Sequence, residues 1–175
     1  MSFTTRILLL VLLWSGLTAC KGIEEDLLPS GQDLRTIQHS PAKIGNLVAQ
    51  GEDGVINLKQ AAAQNRGMVL YFTMWCPICN SHTDHLISKV MPHYPKVDFY
   101  LVDYVNATLD DAQSARNASG YANSGLILLL DHKNQVQNAF DGTMGIVVVV
   151  NPAGEVLLHE DFKDGSKLKQ VLNQL

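Results

Sequence analysis

The chain has 175 residues, 46% of them hydrophobic, and a formal net charge of −4 at neutral pH. This length fits one compact domain, and the apolar content is sufficient to bury a core, which excludes an intrinsically disordered chain. The acidic balance argues against a nucleic-acid-binding protein, because such proteins usually present a basic face.

The first twenty residues have the pattern of an export signal. Arg6 supplies a positive charge, and residues 7–14 form an apolar run. This run is shorter than the roughly 20 apolar residues that a membrane-spanning helix needs. Leu, Thr, Ala and Cys then occupy positions 17–20 and resemble the bacterial lipobox. The resemblance implies a signal peptide at 1–19 and a lipidated Cys20 as the first mature residue.

Lipidation of Cys20 implies a stable anchor on the periplasmic side of a membrane, because more than one acyl chain is attached. Lys21 stands where enteric bacteria often place an aspartate for inner-membrane retention, which favours the outer membrane. Residues 20–45 contain Pro29 and Gly31 and lack a clear hydrophobic period, which predicts a flexible tether. The folded domain is therefore expected at 46–175.

The domain is predicted to open with a β-hairpin. Residues 47–50 and 55–58 flank a turn-rich tetrapeptide, Gly-Glu-Asp-Gly, as two short strands would. Residues 68–72 then form a continuous apolar run, which is typical of a strand buried on both faces of a sheet.

A Cys-Pro-Ile-Cys motif follows that strand, with its cysteines at Cys76 and Cys79. Leu86 and Val90 continue from Cys79 at helical spacing, and Pro92 ends the pattern, so a helix should open at the cysteines. The chain has three cysteines, and a lipidated Cys20 leaves only this pair. A framework of several structural disulfides is therefore excluded, and the pair is redox-active, metal-binding or a closed structural bridge.

The remaining pattern alternates strands and helices. Strands are predicted at 97–102, 126–130, 146–150 and 155–159, and helices from Thr108, at 135–140 and at 168–175. Parallel crossovers combined with a terminal antiparallel hairpin predict an α/β fold, in which a mixed β-sheet is flanked by helices and covered by the C-terminal helix.

Two segments carry a family resemblance. Residues 69–79 read VLYFTMWCPIC, and residues 149–156 read VVNPAGEV. Both resemble the thioredoxin superfamily, especially its TlpA/ResA-like branch of envelope thiol-disulfide oxidoreductases, over roughly residues 47–175. The resemblance implies a thioredoxin-like fold and a redox-active disulfide, without a metal or other cofactor.

The spacing of the two cysteines suits disulfide exchange. One thiolate must attack, and a second thiol must lie close enough to resolve the mixed disulfide, which two intervening residues achieve across the first turn of a helix. Cys76 would lie at the helix N-terminus, where backbone amides favour an anion, and is expected to be the nucleophile. Cys79, one turn further on, is expected to be the resolving thiol.

His82 lies on the same predicted helix stripe as Cys79, facing the sheet. ResA-like proteins commonly carry at this place a glutamate that handles protons near the resolving cysteine. An imidazole titrates near neutrality and could take the proton from Cys79. The alternative is that His82 is a partly buried helix residue without a role in the chemistry.

The loop expected to face the cysteines contains Met144 and Gly145. Thioredoxins usually place a cis-proline where Gly145 falls, but no proline occurs between Pro95 and Pro152. The Met144–Gly145 bond is expected to be trans, since a non-proline cis bond costs about 2.5–4 kcal/mol.

Three other functions remain open. A metal site formed by Cys76, Cys79 and a histidine from elsewhere would resemble the copper-delivering relatives of the fold, whereas His82 and His85 cannot join both cysteines from one straight helix. Thr73 and Cys76 match the Thr-x-x-Cys core of peroxiredoxins, although Val69 replaces the expected proline. The third is a binding or scaffold lipoprotein with a structural disulfide.

The favoured function is a lipid-anchored envelope oxidoreductase that reduces protein disulfides through Cys76 and Cys79. Its partners would be protein thiols and disulfides of the envelope, with apocytochrome c, other misoxidised proteins and a dedicated client all open. An upstream membrane thiol reductase would supply the electrons.

Overall fold

The computed structural model describes residues 40–175. The predicted signal peptide at 1–19, Cys20 and the tether up to residue 39 lie outside these residues. The described part contains seven strands and five α-helices: β1 (Val48–Gly51), β2 (Gly54–Asn57), α1 (Leu58–Gln64), β3 (Met68–Thr73), α2 (Pro77–His85), β4 (Asp98–Asp103), α3 (Leu109–Ala118), β5 (Ile127–Leu130), α4 (Gln135–Phe140), β6 (Ile146–Val150), β7 (Val156–Asp161) and α5 (Ser166–Leu172).

The seven strands form one mixed sheet in the order β2-β1-β5-β4-β3-β6-β7. Strand β3 is parallel to β4, and β4 is parallel to β5. The first hairpin, β1–β2, joins one edge through β1, and the last hairpin, β6–β7, joins the other edge through β6. The predicted α/β mixed sheet with helices and a terminal hairpin is therefore confirmed.

Strand β3 lies inside the sheet between β4 and β6, and all six of its residues are buried. Leu70 and Phe72 pack in one hydrophobic core, whereas Val69 and Tyr71 pack in a second core on the opposite face. Alternate residues of a strand point to opposite faces, so an unbroken apolar run requires cover on both. The strand is thus held rigidly up to the point where the cysteine motif begins.

The first helix was missed in the sequence. The predicted second strand extended to Leu58, but the Asn57 side chain accepts a hydrogen bond from the amide of Gln60 at 3.1 Å and caps α1. Leu58, Ala61 and Ala62 then face the core. Seven residues make about two turns, and this helix is too short for its periodicity to outweigh the β-branched Val55 and Ile56 that precede it.

The packed domain includes residues that the sequence assigned to the tether. Ile44 is buried in the core, and its amide donates to the carbonyl of Gly154 at 2.8 Å. Lys43 forms an antiparallel bridge with Glu155. Within residues 40–175, no helix is long and apolar enough to cross a membrane.

Candidate active site

The turn between β3 and α2 places the first cysteine at the start of the helix. Cys76 is the N-cap of α2, and its sulfur accepts a hydrogen bond from the amide of Cys79 at 3.3 Å. Pro77 occupies the first turn, where its fixed φ favours the helix and its missing N–H costs nothing. A sulfur in this position lies against the unsatisfied amides of the helix N-terminus, which favours a negative charge there.

The two cysteines differ in their exposure. Cys76 is half-buried, whereas Cys79 is completely buried, and their Sγ atoms lie 3.0 Å apart as free thiols. A disulfide requires about 2.05 Å, so a small side-chain movement would join them. Burial, followed by the contact with Cys76, raises the pKa of the Cys79 thiol. The geometry thus gives one thiol that solvent can reach and one that is shielded from solvent and has a raised pKa.

The loop before β6 lies against the cysteines. Tyr71 in β3 pairs with Val147 in the antiparallel β6, so the segment after β3 meets the segment before β6. Met144 places its Sδ 3.1 Å from the Sγ of Cys76. The structure therefore brings the predicted loop residues Met144 and Gly145 to the cysteine pair.

Gly145 replaces the usual cis-proline with a different backbone conformation. The described residues contain no cis peptide bond, and Gly145 has a φ of 85°. Its amide donates to the carbonyl of Phe72 at 3.0 Å, and its carbonyl accepts from the amide of Phe162 at 2.7 Å. A proline fits neither feature, because its φ is fixed near −65° and it has no N–H. Glycine here replaces a rigid ring with two backbone hydrogen bonds.

His82 is buried on the inner face of α2, as its place on the helix stripe predicted. Its Nδ1 lies 3.0 Å from the hydroxyl of Tyr71, and its ring packs against Phe162 with centroids 5.0 Å apart. The sequence pattern predicts Tyr71 only as a residue of the apolar strand. A buried tyrosine hydroxyl needs a partner, and that requirement was the available signal.

His85 shares its helix face with Ser81 and Lys89, and this position in the sequence predicts a solvated side chain, from which the structure differs. The side chain is half-buried and packs edge-on against Phe162, with centroids 5.7 Å apart. Burial, with a smaller contribution from Lys169, lowers its pKa. The loop after β7 covers this face of α2, which helical periodicity alone does not reveal.

Trp75, immediately before Cys76, adopts a left-handed φ of 61°. Such a conformation costs a bulky residue about 1–3 kcal/mol and needs support from its surroundings. Its indole Nε1 donates to Asp103 Oδ2 at 2.8 Å, and its amide donates to Thr73 Oγ1 at 3.1 Å. These bonds hold the turn in the form that presents Cys76.

Asp103 was missed in the sequence and is completely buried at the end of β4. Besides Trp75, it accepts hydrogen bonds from the amides of Val105 and Asn106 and from the Asn106 side chain. The signal was its position directly after a buried strand. Because β3 and β4 are parallel, the residues that follow both strands meet at one edge of the sheet.

Metal ligands of the usual kind do not converge in the described part of the chain. No three His, Cys, Asp or Glu side chains within residues 40–175 are grouped as a metal site requires. Within residues 40–175, no histidine therefore joins the cysteine pair in the three-ligand site that the sequence left open.

Comparison with solved structures agrees with the predicted fold. No family model matches the sequence, and no curated protein is significantly similar to it. One similar solved structure is a thioredoxin-like protein from Aeropyrum pernix, with 16% identity and a TM-score of 0.61, covering 74% of this chain and 89% of that one. Another is DsbF from Mycobacterium tuberculosis, with 20% identity and a TM-score of 0.58, covering 78% of this chain and 98% of that one. A third is a secreted Mycobacterium tuberculosis disulfide oxidoreductase homologous to E. coli DsbE. It has 19% identity and a TM-score of 0.55, and the match covers 74% of this chain and 96% of that one. This chain therefore has the thioredoxin-like fold.

Proposed function

We propose that this protein is a thiol-disulfide oxidoreductase of the bacterial cell envelope, of the TlpA/ResA-like type, which reduces protein disulfides. The observation that carries the proposal is the pairing of a half-buried Cys76 at a helix N-terminus with a completely buried Cys79, 3.0 Å away. The secreted disulfide oxidoreductase with the same fold supports it.

The reaction follows from the difference between the two thiols. The Cys76 thiolate attacks a client disulfide, forms a mixed disulfide and releases one client thiolate, which takes up a proton. Cys79 then loses its proton and attacks the Cys76 sulfur, which releases the second client thiol. The client gains two electrons and the protein is left with a Cys76–Cys79 disulfide. An upstream membrane thiol reductase must reduce this disulfide again.

We propose the cellular location of the protein from its N-terminal sequence. The lipobox-like residues 17–20 make Cys20 the lipidated first residue, and residues 21–39 would link it to the domain. The anchored domain would face the periplasm, with the outer membrane favoured by Lys21. Clients would be envelope proteins with accessible disulfides, of which apocytochrome c is one candidate.

Trapping of clients tests the activity. A Cys79→Ser variant of the full chain can attack but cannot resolve, so it should accumulate mixed disulfides in cells, visible as high-mass bands on non-reducing gels. The Cys76→Ser/Cys79→Ser double variant is the matched control and should show none. Equal banding in the two variants, or no banding in either, would contradict the proposal.

Equilibration with glutathione separates a catalytic pair from a structural bridge. Structural disulfides in secreted proteins have reduction potentials below about −300 mV. We expect the Cys76–Cys79 pair to equilibrate at a higher potential than this. A disulfide that resists reduction throughout the glutathione range would favour the scaffold alternative instead.

A further inference from the structure

The cysteine pair has a third sulfur beside it that disulfide exchange does not use. Met144 Sδ lies 3.1 Å from Cys76 Sγ, which lies 3.0 Å from Cys79 Sγ. A thioether can neither form a disulfide nor donate a proton, so the exchange reaction leaves this contact unexplained. The three atoms form a compact group of soft donors, two on half-buried side chains and one on the buried Cys79.

The backbone holds Met144 beside the cysteines. The next residue, Gly145, is bonded through its amide to Phe72 at the end of β3 and through its carbonyl to Phe162 after β7. The other two sulfurs come from the cap and the first turn of α2. All three donors are therefore carried by backbone that hydrogen bonds or helix geometry hold in place.

We propose that Cys76, Cys79 and Met144 form a three-sulfur binding site for Cu(I). Thiolate and thioether ligands are soft and select Cu(I) over harder cations. Zinc usually takes four nitrogen or sulfur ligands in a tetrahedron. Within residues 40–175, no third His, Cys, Asp or Glu side chain converges with the two cysteines to complete such a set.

Binding of Cu(I) to the three sulfurs requires no electron transfer. Both thiols lose their protons to solvent, copper remains Cu(I), and the thioether contributes a lone pair, so the occupied site carries a net charge of −1. A metal–thiolate bond of about 2.3 Å places the sulfurs of a trigonal site about 4 Å apart. The Cys76 sulfur must therefore move about 1 Å away from each of the other two sulfurs, and the Cys76 and Met144 side chains are only half-buried.

Copper binding is a second activity of the residues to which we assign disulfide exchange. If that proposed function holds, the two activities exclude each other, because a sulfur bound to copper is not free to attack a disulfide. Bound Cu(I) would also protect the pair from oxidation. The copper site itself stands on the three sulfurs and does not require the exchange reaction.

The affinity for Cu(I) tests the site directly. The full chain, purified and reduced under anaerobic conditions, is titrated with Cu(I) against a chromophoric chelator. We expect one copper per chain. Met144→Leu keeps an apolar side chain of similar size and removes only the sulfur. Loss of a group that only supports a metal ligand already weakens metal sites by about 10–100-fold, so this variant, which loses a ligand, should bind at least about 10-fold more weakly.

Met74→Leu is the matched control, because Met74 is also near the motif but is exposed, and it should leave the affinity unchanged. X-ray absorption of the copper-loaded wild type should show three sulfur neighbours, and it needs no variant to fold. Two sulfur neighbours, absence of binding, or equal affinity of Met144→Leu and the wild type would overturn the proposal. Disulfide reduction measured on the metal-free protein reports separately on the exchange activity.

Discussion

At the scale of single residues, the two cysteines differ in solvent exposure, and this difference supports the roles that we propose for them. Cys79 is completely buried, and this burial raises the pKa of its thiol. Cys76 is half-buried at the start of α2, where we propose that a client disulfide approaches it. The same Cys-x-x-Cys spacing on an exposed loop would leave both thiols open to solvent and to unwanted partners.

The pH dependence of the two steps should therefore differ. Only the thiolate attacks, so the rate of resolution by Cys79 should rise with pH and reach half its maximum above about 8.5, the ordinary pKa of cysteine. Burial, the largest cause of the raised pKa, persists in the mixed disulfide. Single-turnover release of a model client from Cys76 measures this. A midpoint below 8.5 would show that Cys79 is activated rather than suppressed.

His82 lies three residues after Cys79 on the same buried face of α2, and we propose that it takes the proton from Cys79. If His82 takes that proton, His82→Ala should slow resolution without slowing attack by Cys76, as stopped-flow measurement of each step would show. Tyr71→Phe keeps the imidazole and removes the hydroxyl 3.0 Å from its Nδ1, so it should shift the pH profile of resolution. Equal loss in both steps, in both variants, would mean damage to the fold.

At the scale of elements, the site depends on the loop after β4 as well as on the motif itself. Asp103 accepts hydrogen bonds from Trp75 and from the backbone of its own loop, so one buried carboxylate joins two loops. The left-handed Trp75 needs this support. The position of Cys76 thus depends partly on Asp103, which lies 27 residues further along the chain.

Asp103→Asn should loosen this junction. Asp103 uses both oxygens as acceptors, and an amide would turn an NH₂ group toward one set of donors, which costs about 1–3 kcal/mol of stability. Trp75 is the only tryptophan in residues 40–175, so its fluorescence should report the change together with slower attack by Cys76. Asp98→Asn, at the other end of β4, is the control and should leave that fluorescence unchanged. Identical behaviour of both variants would contradict this role of Asp103.

At the scale of the whole molecule, the proposed anchor and the domain can be separated experimentally. Cys20→Ser should abolish acylation and leave the precursor unprocessed, detectable by labelled fatty acid and by mass on gels. Because Cys20 lies outside residues 40–175, disulfide reduction by the purified domain should be unaffected by this change. Normal processing and unchanged membrane association of Cys20→Ser would contradict the lipoprotein proposal.

Local pattern in the sequence was enough to predict most of the sheet. The continuous apolar run of β3, the helix opening at Cys76 and the alternating strands and helices after it reflect burial and periodicity, which each segment carries within itself. The short α1 and the packing of Ile44 were not predicted, because few residues carry their signal. The sequence by itself thus determined the fold class and the position of the cysteine pair after a buried strand.

The surroundings of that pair were decided only by the tertiary structure. Tyr71 beside His82, Asp103 beside Trp75 and Met144 beside Cys76 join residues that are 11, 28 and 68 positions apart. Each contact arises where strands end at a common edge of the sheet or where a helix crosses its face. The pairing of the strands determines which residues meet there. The sequence pattern indicates where each strand ends, but it does not give the order of the strands in the sheet.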